Sequence, residues 1–233
     1  MGLLDRIQGG GGGRSKVQGI LGYFNLGEWW LSSFTEQERR YIEQKHQPMG
    51  GLGPHSLTRG SIQYGGAAAG FLVSLSTWFV GPGDRDLATR MLEKAEAVAG
   101  DSVLDRHFVY LQMIKAYYAE RDTQSGALEA AISACERQIA IAPQVRAAFG
   151  AWTDENARKL SEVDGQRREV VSLTPTSHRG FHQLAIIREK QGDIAEALRL
   201  CREAESQGWQ DEGRDWSSRI AKLEHKLSKA PGR

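Results

Sequence analysis

The sequence has too few cysteines for a disulfide-rich protein and too short an apolar run for a membrane-spanning one. Only Cys135 and Cys201 occur in 233 residues, which excludes a disulfide-rich framework. The longest apolar run, residues 67–80, is interrupted by Gly70 and is shorter than the about 18 residues of a membrane-spanning helix. The first residues also lack the basic region and apolar stretch of a signal peptide. We therefore expect a cytoplasmic protein without a membrane span.

Neither sign of charge is in excess. The chain has 30 Lys and Arg against 29 Asp and Glu, a formal net charge of +1. Proteins that bind along nucleic acid or an anionic membrane usually carry a clear basic excess, because phosphate groups dominate those surfaces. The basic pairs Arg39–Arg40 and Arg167–Arg168 are each offset by nearby glutamate. We therefore predict no nucleic-acid partner.

The common catalytic and nucleotide-binding motifs are missing as well. The patterns GxSxG, CxxC and HExxH do not occur. The glycine run Gly9–Gly13 continues into Arg14, so it lacks the Gly-Lys-Ser or Gly-Lys-Thr end of a phosphate-binding loop. His178 and His182 have the spacing that places two metal ligands on one helical face, but no third ligand stands at motif spacing. We predict no catalytic residues, no metal and no cofactor, which favours a protein that is not an enzyme.

Glycine is the residue type in clear excess. The chain has 27 glycines, and 16 of them lie in residues 1–70. Five are consecutive, at residues 9–13, a composition typical of flexible tethers, so we expect residues 1–18 to form a flexible tail. Residues 1–8 could form two turns of amphipathic helix, which leaves open a frayed terminus or a weak peripheral contact with a membrane or a partner. The apolar side of that short helix would hold Leu3, Leu4 and Ile7.

An aromatic-rich segment with short helices follows the tail. Leu26–Ser33 predicts one helix, and Thr35 with Glu38 forms a capping box that predicts a second helix over residues 36–47. The Gly- and Pro-rich stretch Met49–Gly66 predicts a long loop. We expect the aromatic side chains to form a small separate core, with an exposed recognition surface as the alternative. Those side chains are Tyr23, Phe24, Trp29, Trp30 and Phe34.

A helical pattern begins at Ala67 and repeats itself. Apolar residues recur at spacings of three and four, the period of an α-helix, and strand-like alternation is absent. Residues 180–205 predict two helices joined by a Gly192–Asp193 turn, and the same order of large and small residues recurs from Ala69 and over residues 106–143. The predicted core positions are Leu72, Leu75, Phe79, Ala88, Leu92 and Ala95 in the first copy, Tyr117, Ala131 and Cys135 in the second, and Phe181, Leu184, Ala185, Gly192, Ala197, Cys201 and Ala204 in the third.

This order of residues resembles the tetratricopeptide repeat, a helix–turn–helix unit of about 34 residues. The sequence departs from that family at several positions. Arg188 and Cys201 stand where the family has aromatic residues, Gln138 stands where it has alanine, and Trp209 where proline often follows. The segment that contains Trp29-Trp30 is similar to the N-terminal part of uncharacterised bacterial repeat proteins. The resemblance implies an all-α fold, a short right-handed superhelix of about three helical hairpins.

The pattern divides the chain into three parts. These are the tail over residues 1–18, the aromatic-rich segment and loop over 19–66, and the repeat domain over 67–230. Residues 144–177 match no repeat, so they form either a degenerate helix pair or a projecting insertion. The last helix is expected to cap the stack through one apolar stripe. That stripe contains Trp216, Ile220, Leu223 and Leu227.

Cys135 and Cys201 occupy equivalent positions of two repeat copies, and Leu92 fills that position in the first copy. A position shared with leucine is a packing position, because a buried thiol behaves as a small apolar group. We therefore predict buried structural thiols, with a redox pair or metal ligands as the alternatives.

The repeat resemblance and the missing catalytic motifs together imply a non-enzymatic interaction module, a scaffold or adaptor that binds a partner peptide or helix. The resemblance places the candidate partner-binding residues on the first helix of the last repeat. These residues are Arg179, His182, Glu189 and Lys190, with an ordinary solvated polar face as the alternative. The alternative is a helical enzyme or small-ligand sensor whose site lies between the repeat stack and the aromatic segment near Trp29.

Overall fold

A computed structural model describes residues 17–48, 53, 55–164, 177–211 and 214–229. Within these residues the chain forms eleven α-helices and no β-strand, so the all-α prediction is confirmed. The chain divides into two compact units, Met1–Gly66 and Ala67–Arg233. The predictions for the glycine tether and for residues 1–8 lie outside the described residues.

The first unit contains three short helices, α1 (Gly19–Tyr23), α2 (Gly27–Ser33) and α3 (Glu36–Lys45). The predicted capping box is present at the start of α3. The Glu38 backbone N–H donates to Thr35 Oγ1 at 3.2 Å, and the Thr35 N–H donates to Glu38 Oε2 at 2.7 Å. These two bonds satisfy N–H groups that the first turn of a helix would leave unpaired.

The described part of the loop after α3 is tied to the start of α1. The backbone N–H groups of residues 18–21 donate to the carbonyls of residues 56–60 at 2.9–3.0 Å. Gly19 sits at the closest approach, with φ +62°, and a Cβ at this position would lie 2.4 Å from the Ser56 carbonyl oxygen. The loop therefore stabilises the start of α1, because its carbonyls accept hydrogen bonds from the N–H groups of a helix that has no side-chain cap.

The aromatic side chains of the first unit divide between a small core and the surface. Trp30 and Phe34 are buried with ring centroids 5.2 Å apart, beside the buried Ile20, Leu21 and Ile42. Tyr23 is 48% exposed, and it meets Phe24 edge-to-face at 5.0 Å. The segment therefore has its own apolar core, and Tyr23 lies outside it.

The second unit is built from consecutive helical hairpins. In the pairs α4–α5, α6–α7 and α9–α10 the two helices pack together, and each pair contacts the next through α5–α6 and α7–α9. The first helices of the pairs, α4, α6 and α9, also contact one another in order, and α11 packs on α10. The helices are α4 (Ala68–Ser76), α5 (Arg85–Val98), α6 (Val103–Glu120), α7 (Ala127–Ala140), α8 (Ala142–Asp164), α9 (Arg179–Lys190), α10 (Ile194–Ser206) and α11 (Ser217–Lys229).

Local signals set several of these helix boundaries. Ser102 Oγ accepts from the Asp105 N–H at the start of α6, and Asp193 Oδ1 accepts from the Glu196 N–H at the start of α10. Pro143 is in the first turn of α8, where its missing N–H removes no helical hydrogen bond. Helices α6, α8 and α10 thus begin where their own sequence provides a cap or a residue suited to the first turn.

Most of the predicted repeat positions are buried, and two are not. Gly192 is exposed in the α9–α10 turn with φ +82°, so it serves the turn rather than the core. Tyr117 is half-buried. The remaining positions are at most 4% exposed: Leu72, Leu75, Phe79, Ala88, Leu92, Ala95, Ala131, Cys135, Phe181, Leu184, Ala185, Ala197, Cys201 and Ala204.

The structure changes two expectations, one on residues 144–177 and one on the apolar stripe of the last helix. Over residues 142–164 the chain forms one long helix that contacts α6 and α7, so the described part of this stretch is not a helix pair. On α11, Leu223 is fully buried but Leu227 is 42% exposed. The apolar stripe is therefore covered at Trp216 and Leu223 and open to solvent at Leu227.

Candidate interaction surface

An open groove of about 730 Å³ lies between α9, the segment after α10, and α11. Two of the predicted partner-binding residues, His182 and Glu189, line it. They are seven residues apart on α9, about two turns, so both point to the same side of the helix. The other lining residues are Asp211, Arg214, Asp215, Ser218, Arg219 and Lys222.

Four side chains at the base of this groove form a charged network. His182 Nδ1 is hydrogen-bonded to Asp211 Oδ1, and Arg219 lies 3.9 Å from Asp211 Oδ2 and 3.5 Å from Glu189 Oε2. Lys226 Nζ donates to Glu189 Oε1 at 2.6 Å, and this bond is the main cause that holds the pKa of Glu189 below its usual range. The network joins α9 to α11 through side chains that are only 13–17% exposed.

The charged side chains at the rim of the groove are more accessible than this base. Arg214, Asp215 and Lys222 are exposed, and they carry both signs of charge. Lys222 Nζ lies 3.6 Å from Glu189 Oε1 while its own side chain stays 64% exposed. The groove therefore has a hydrogen-bonded polar base and an exposed charged rim, which together offer donors and acceptors to a polar ligand.

The other two predicted partner-binding residues are not in this groove. Lys190 Nζ donates to the Tyr118 hydroxyl at 3.2 Å and lies 5.8 Å from the centroid of that ring. Arg179 Nη2 donates to Gln183 Oε1 at 2.9 Å. Positions 179 and 190 are rotated by roughly a quarter turn from His182 and Glu189 on α9, so Arg179 and Lys190 do not line the groove.

The two cysteine thiols are fully buried and unpaired with each other. Burial raises the pKa of Cys135 to about 12 and that of Cys201 to about 11. Metal binding and redox chemistry both require an accessible thiolate, which this environment opposes. Among the residues that the structure describes, no three His, Cys, Asp or Glu side chains form a group able to hold a metal ion.

The four-residue spacing of His178 and His182 indicated that both lie on one face of a helix, but the structure places His178 before the helix. It precedes α9 as the N-cap, and its Nδ1 accepts from the Phe181 N–H at 3.4 Å. Its ring is fully buried, 5.4 Å from the ring of His107 and 4.8 Å from that of Trp209. His178 and His182 therefore do not share a helical face.

His107 on α6, Gln138 on α7 and His178 at the start of α9 form a buried polar cluster. We call these three residues the buried joint. Gln138 Nε2 donates to the His107 carbonyl at 3.0 Å, and Gln138 Oε1 accepts from the Gly180 N–H at 2.7 Å. Burial lowers the pKa of His107 to about 4 and that of His178 to about 3, with the charge of His107 as a second cause for His178. Both imidazoles are therefore neutral in the folded protein near pH 7.

Two departures from the repeat pattern account for this joint. Gln138 replaces a small residue and bridges two helices, and Trp209 replaces a common proline and covers His178. Gln138 lies in the last turn of α7 and Trp209 follows α10, and these departures from the expected alanine and proline were the available sequence signal. Sequence reasoning also missed the basic residues of α11 in the groove, although Arg219, Lys222 and Lys226 have the three- and four-residue spacing of one helical face.

Comparisons with protein-family models, with curated proteins and with solved structures returned no match. None of the described helices is long and apolar enough to cross a membrane. The groove and the helices that form it are therefore the features of this chain from which a function can be inferred.

Proposed function

We propose that this chain is a non-enzymatic interaction module, a scaffold or adaptor that holds a segment of a partner protein on its helical hairpins. The stacking of successive hairpins, with their first helices in contact, supports a short tetratricopeptide-like right-handed superhelix in which such segments bind. The polar groove between α9 and α11, with His182 and Glu189 at its base, is the proposed binding place.

The observation that carries this proposal is the division of the groove into a hydrogen-bonded base and an exposed rim. The network of His182, Asp211, Arg219 and Glu189 keeps its side chains in place before any ligand arrives. A preorganised site loses less conformational entropy on binding than a flexible one. The exposed charges of both signs favour a peptide segment that itself carries both signs of charge.

Site-specific crosslinking tests this proposal in a lysate of the source cell. A photoreactive residue at Ser218, inside the groove, should capture a discrete partner peptide, while the same residue at the exposed Ala195 on α10 should not. Equal capture from both positions would contradict a groove-specific interaction.

Binding of the captured peptide to the purified full chain then gives the quantitative test. Lys222→Glu reverses a rim charge and should weaken binding about tenfold, as expected when one charge pair is replaced by a repulsion. Lys190→Glu is the matched control, since Lys190 is an exposed lysine of α9 that contacts Tyr118 outside the groove. An equal loss in the two variants would indicate a general electrostatic effect instead of this site. The alternative of an enzyme or ligand sensor with a site beside the aromatic segment stays a prediction.

A further inference from the structure

A second groove, different in chemistry from the first, lies where α4 ends and α5 begins, against the C-terminal half of α6. Its volume is about 120 Å³, and the buried Phe79 and Leu92 contribute to its apolar lining. An apolar cavity on the order of 150 Å³ holds one benzene molecule. The groove therefore has room for one aliphatic side chain.

Small side chains leave this groove open. Ala88 on α5 and Ala116 and Ala119 on α6 line it, and none of them is long enough to fill the space between the helices. Val80 lies at the same groove and is 72% exposed, more than any other exposed large apolar side chain of the described residues. Apolar surface that stays in water is unfavourable, so an apolar group that covers it would be stabilised.

The unpaired charge in the lining of the groove is positive. Lys115 is exposed on α6, and among the described residues it has no hydrogen-bond or ion-pair partner. Arg85, the other cation of the lining, is already paired with Glu120. No Asp or Glu is among the residues that line the groove. A ligand that places a negative group next to its apolar group would therefore be favoured by Lys115.

We propose that this groove binds a partner peptide in which a leucine or isoleucine stands next to a carboxylate-bearing residue. The aliphatic side chain fills the space between Ala88, Ala116 and Ala119, and the carboxylate pairs with Lys115. This inference rests on the proposed peptide-binding function, but it uses residues that the α9–α11 groove does not contain.

Titration of the ¹⁵N-labelled full chain with dipeptides tests the chemistry directly by NMR. N-acetyl-Leu-Glu-amide should shift the amide resonances of Ala88, Ala116 and Ala119, with an affinity about threefold above that of N-acetyl-Leu-Lys-amide, the size expected for one exposed ion pair. N-acetyl-Gly-Glu-amide should bind at least tenfold more weakly than the Leu-Glu probe, because it lacks the aliphatic anchor. Equal affinities for the three probes, or no shifts at these alanines, would overturn the proposal.

Two variants separate the apolar and the charged parts of the site. Ala119→Leu fills the groove and should lower the affinity for both leucine probes at least tenfold, while the same change at the exposed Ala195 on α10 should leave it unchanged. Lys115→Gln should remove the preference for Leu-Glu over Leu-Lys and keep the binding of both. Since Ala119 and Lys115 are exposed, the variants should unfold at the temperature of the parent chain.

The outcomes distinguish this inference from the proposed function. If the dipeptides fail while the captured peptide still binds in a manner sensitive to Lys222→Glu, the second groove alone is refuted. If the dipeptides bind as expected and Lys222→Glu has no effect, the α9–α11 groove is refuted instead. Concentration-dependent sedimentation that Ala119→Leu abolishes would show a second copy of the chain in the groove, and it would overturn the partner assignment.

Discussion

At the scale of single residues, Gly180 has the closest surroundings of the described glycines in the second unit. It lies in the first turn of α9, and its N–H donates to Gln138 Oε1. A Cβ at this position would lie 2.9 Å from the Cys135 carbonyl oxygen and 3.0 Å from Gln138 Oε1. Because backbone cannot move aside cheaply, the glycine is what allows α9 to approach α7.

We expect Gly180→Ala to lower the free energy of unfolding by roughly 1–3 kcal/mol, the usual cost of an overpacked core. Urea unfolding followed by tryptophan fluorescence measures this change. The matched control is Gly150→Ala on α8, where nothing lies within 4 Å of the added Cβ. That variant should be neutral or up to about 1 kcal/mol more stable, because alanine favours a helix over glycine. Equal effects of the two changes would refute the close contact.

At the scale of secondary-structure elements, side chains at the helix starts satisfy backbone groups that the helix itself leaves unpaired. Thr35, Ser102, His178 and Asp193 each accept a hydrogen bond from the N–H three residues further on. Helix α1 has no such side chain and takes its acceptors from the carbonyls of residues 56–60. An unpaired N–H at a helix start is unfavourable, so each of these devices stabilises its own element.

Thr35→Ala removes one acceptor from the capping box of α3 and should destabilise that helix by about 1 kcal/mol. Hydrogen exchange of the α3 amides should therefore accelerate about fivefold. Ser32→Ala serves as the control, since the Ser32 hydroxyl donates to the Trp29 carbonyl at 3.2 Å on an exposed part of α2 and caps no helix. An unchanged exchange rate in Thr35→Ala would mean that α3 is held by its packing alone.

At the scale of the whole second unit, the buried joint of His107, Gln138 and His178 couples helices that are distant in sequence. Burial lowers the pKa of both imidazoles, so the folded protein keeps them neutral down to about pH 4. The unfolded chain binds protons on the same histidines from about pH 6.5 downward. The free energy of unfolding should therefore fall as the pH falls from about 6.5 towards 4, and it should be fully recovered above 6.5.

His178→Asn tests this linkage, because asparagine can still cap a helix but does not titrate. Between about pH 4.5 and 6, the unfolding free energy should depend less steeply on pH in the variant than in the parent chain. The two slopes should differ by about 1.4 kcal/mol per pH unit. Leu184→Ala, which removes buried apolar volume without removing a titratable group, should lower the stability and keep the slope. If His178→Asn also keeps the parent slope, His178 is not held neutral in the folded state.

Local patterns in the sequence were sufficient for much of the fold. The capping box at Thr35 and the turn at Gly192 could be predicted, because caps and turns depend on residues within about four positions of one another. Periodicity identified Leu72 and Phe181 as core positions, because a helix places every third or fourth residue on one side. These features hold for a helix wherever it packs.

The two proposed binding surfaces could be identified only from the packed structure. His182 meets Asp211 across 29 residues, and Lys190 meets Tyr118 across 72 residues. Helix geometry places His182 and Lys190 about a quarter turn apart on α9, but it does not indicate which residues lie against each side, because that depends on which helices pack there. The groove beside Lys115 likewise exists only because α4, α5 and α6 bring three alanines together. Helix periodicity constrains which residues are buried, whereas the packing of whole helices determines which charges and gaps become neighbours.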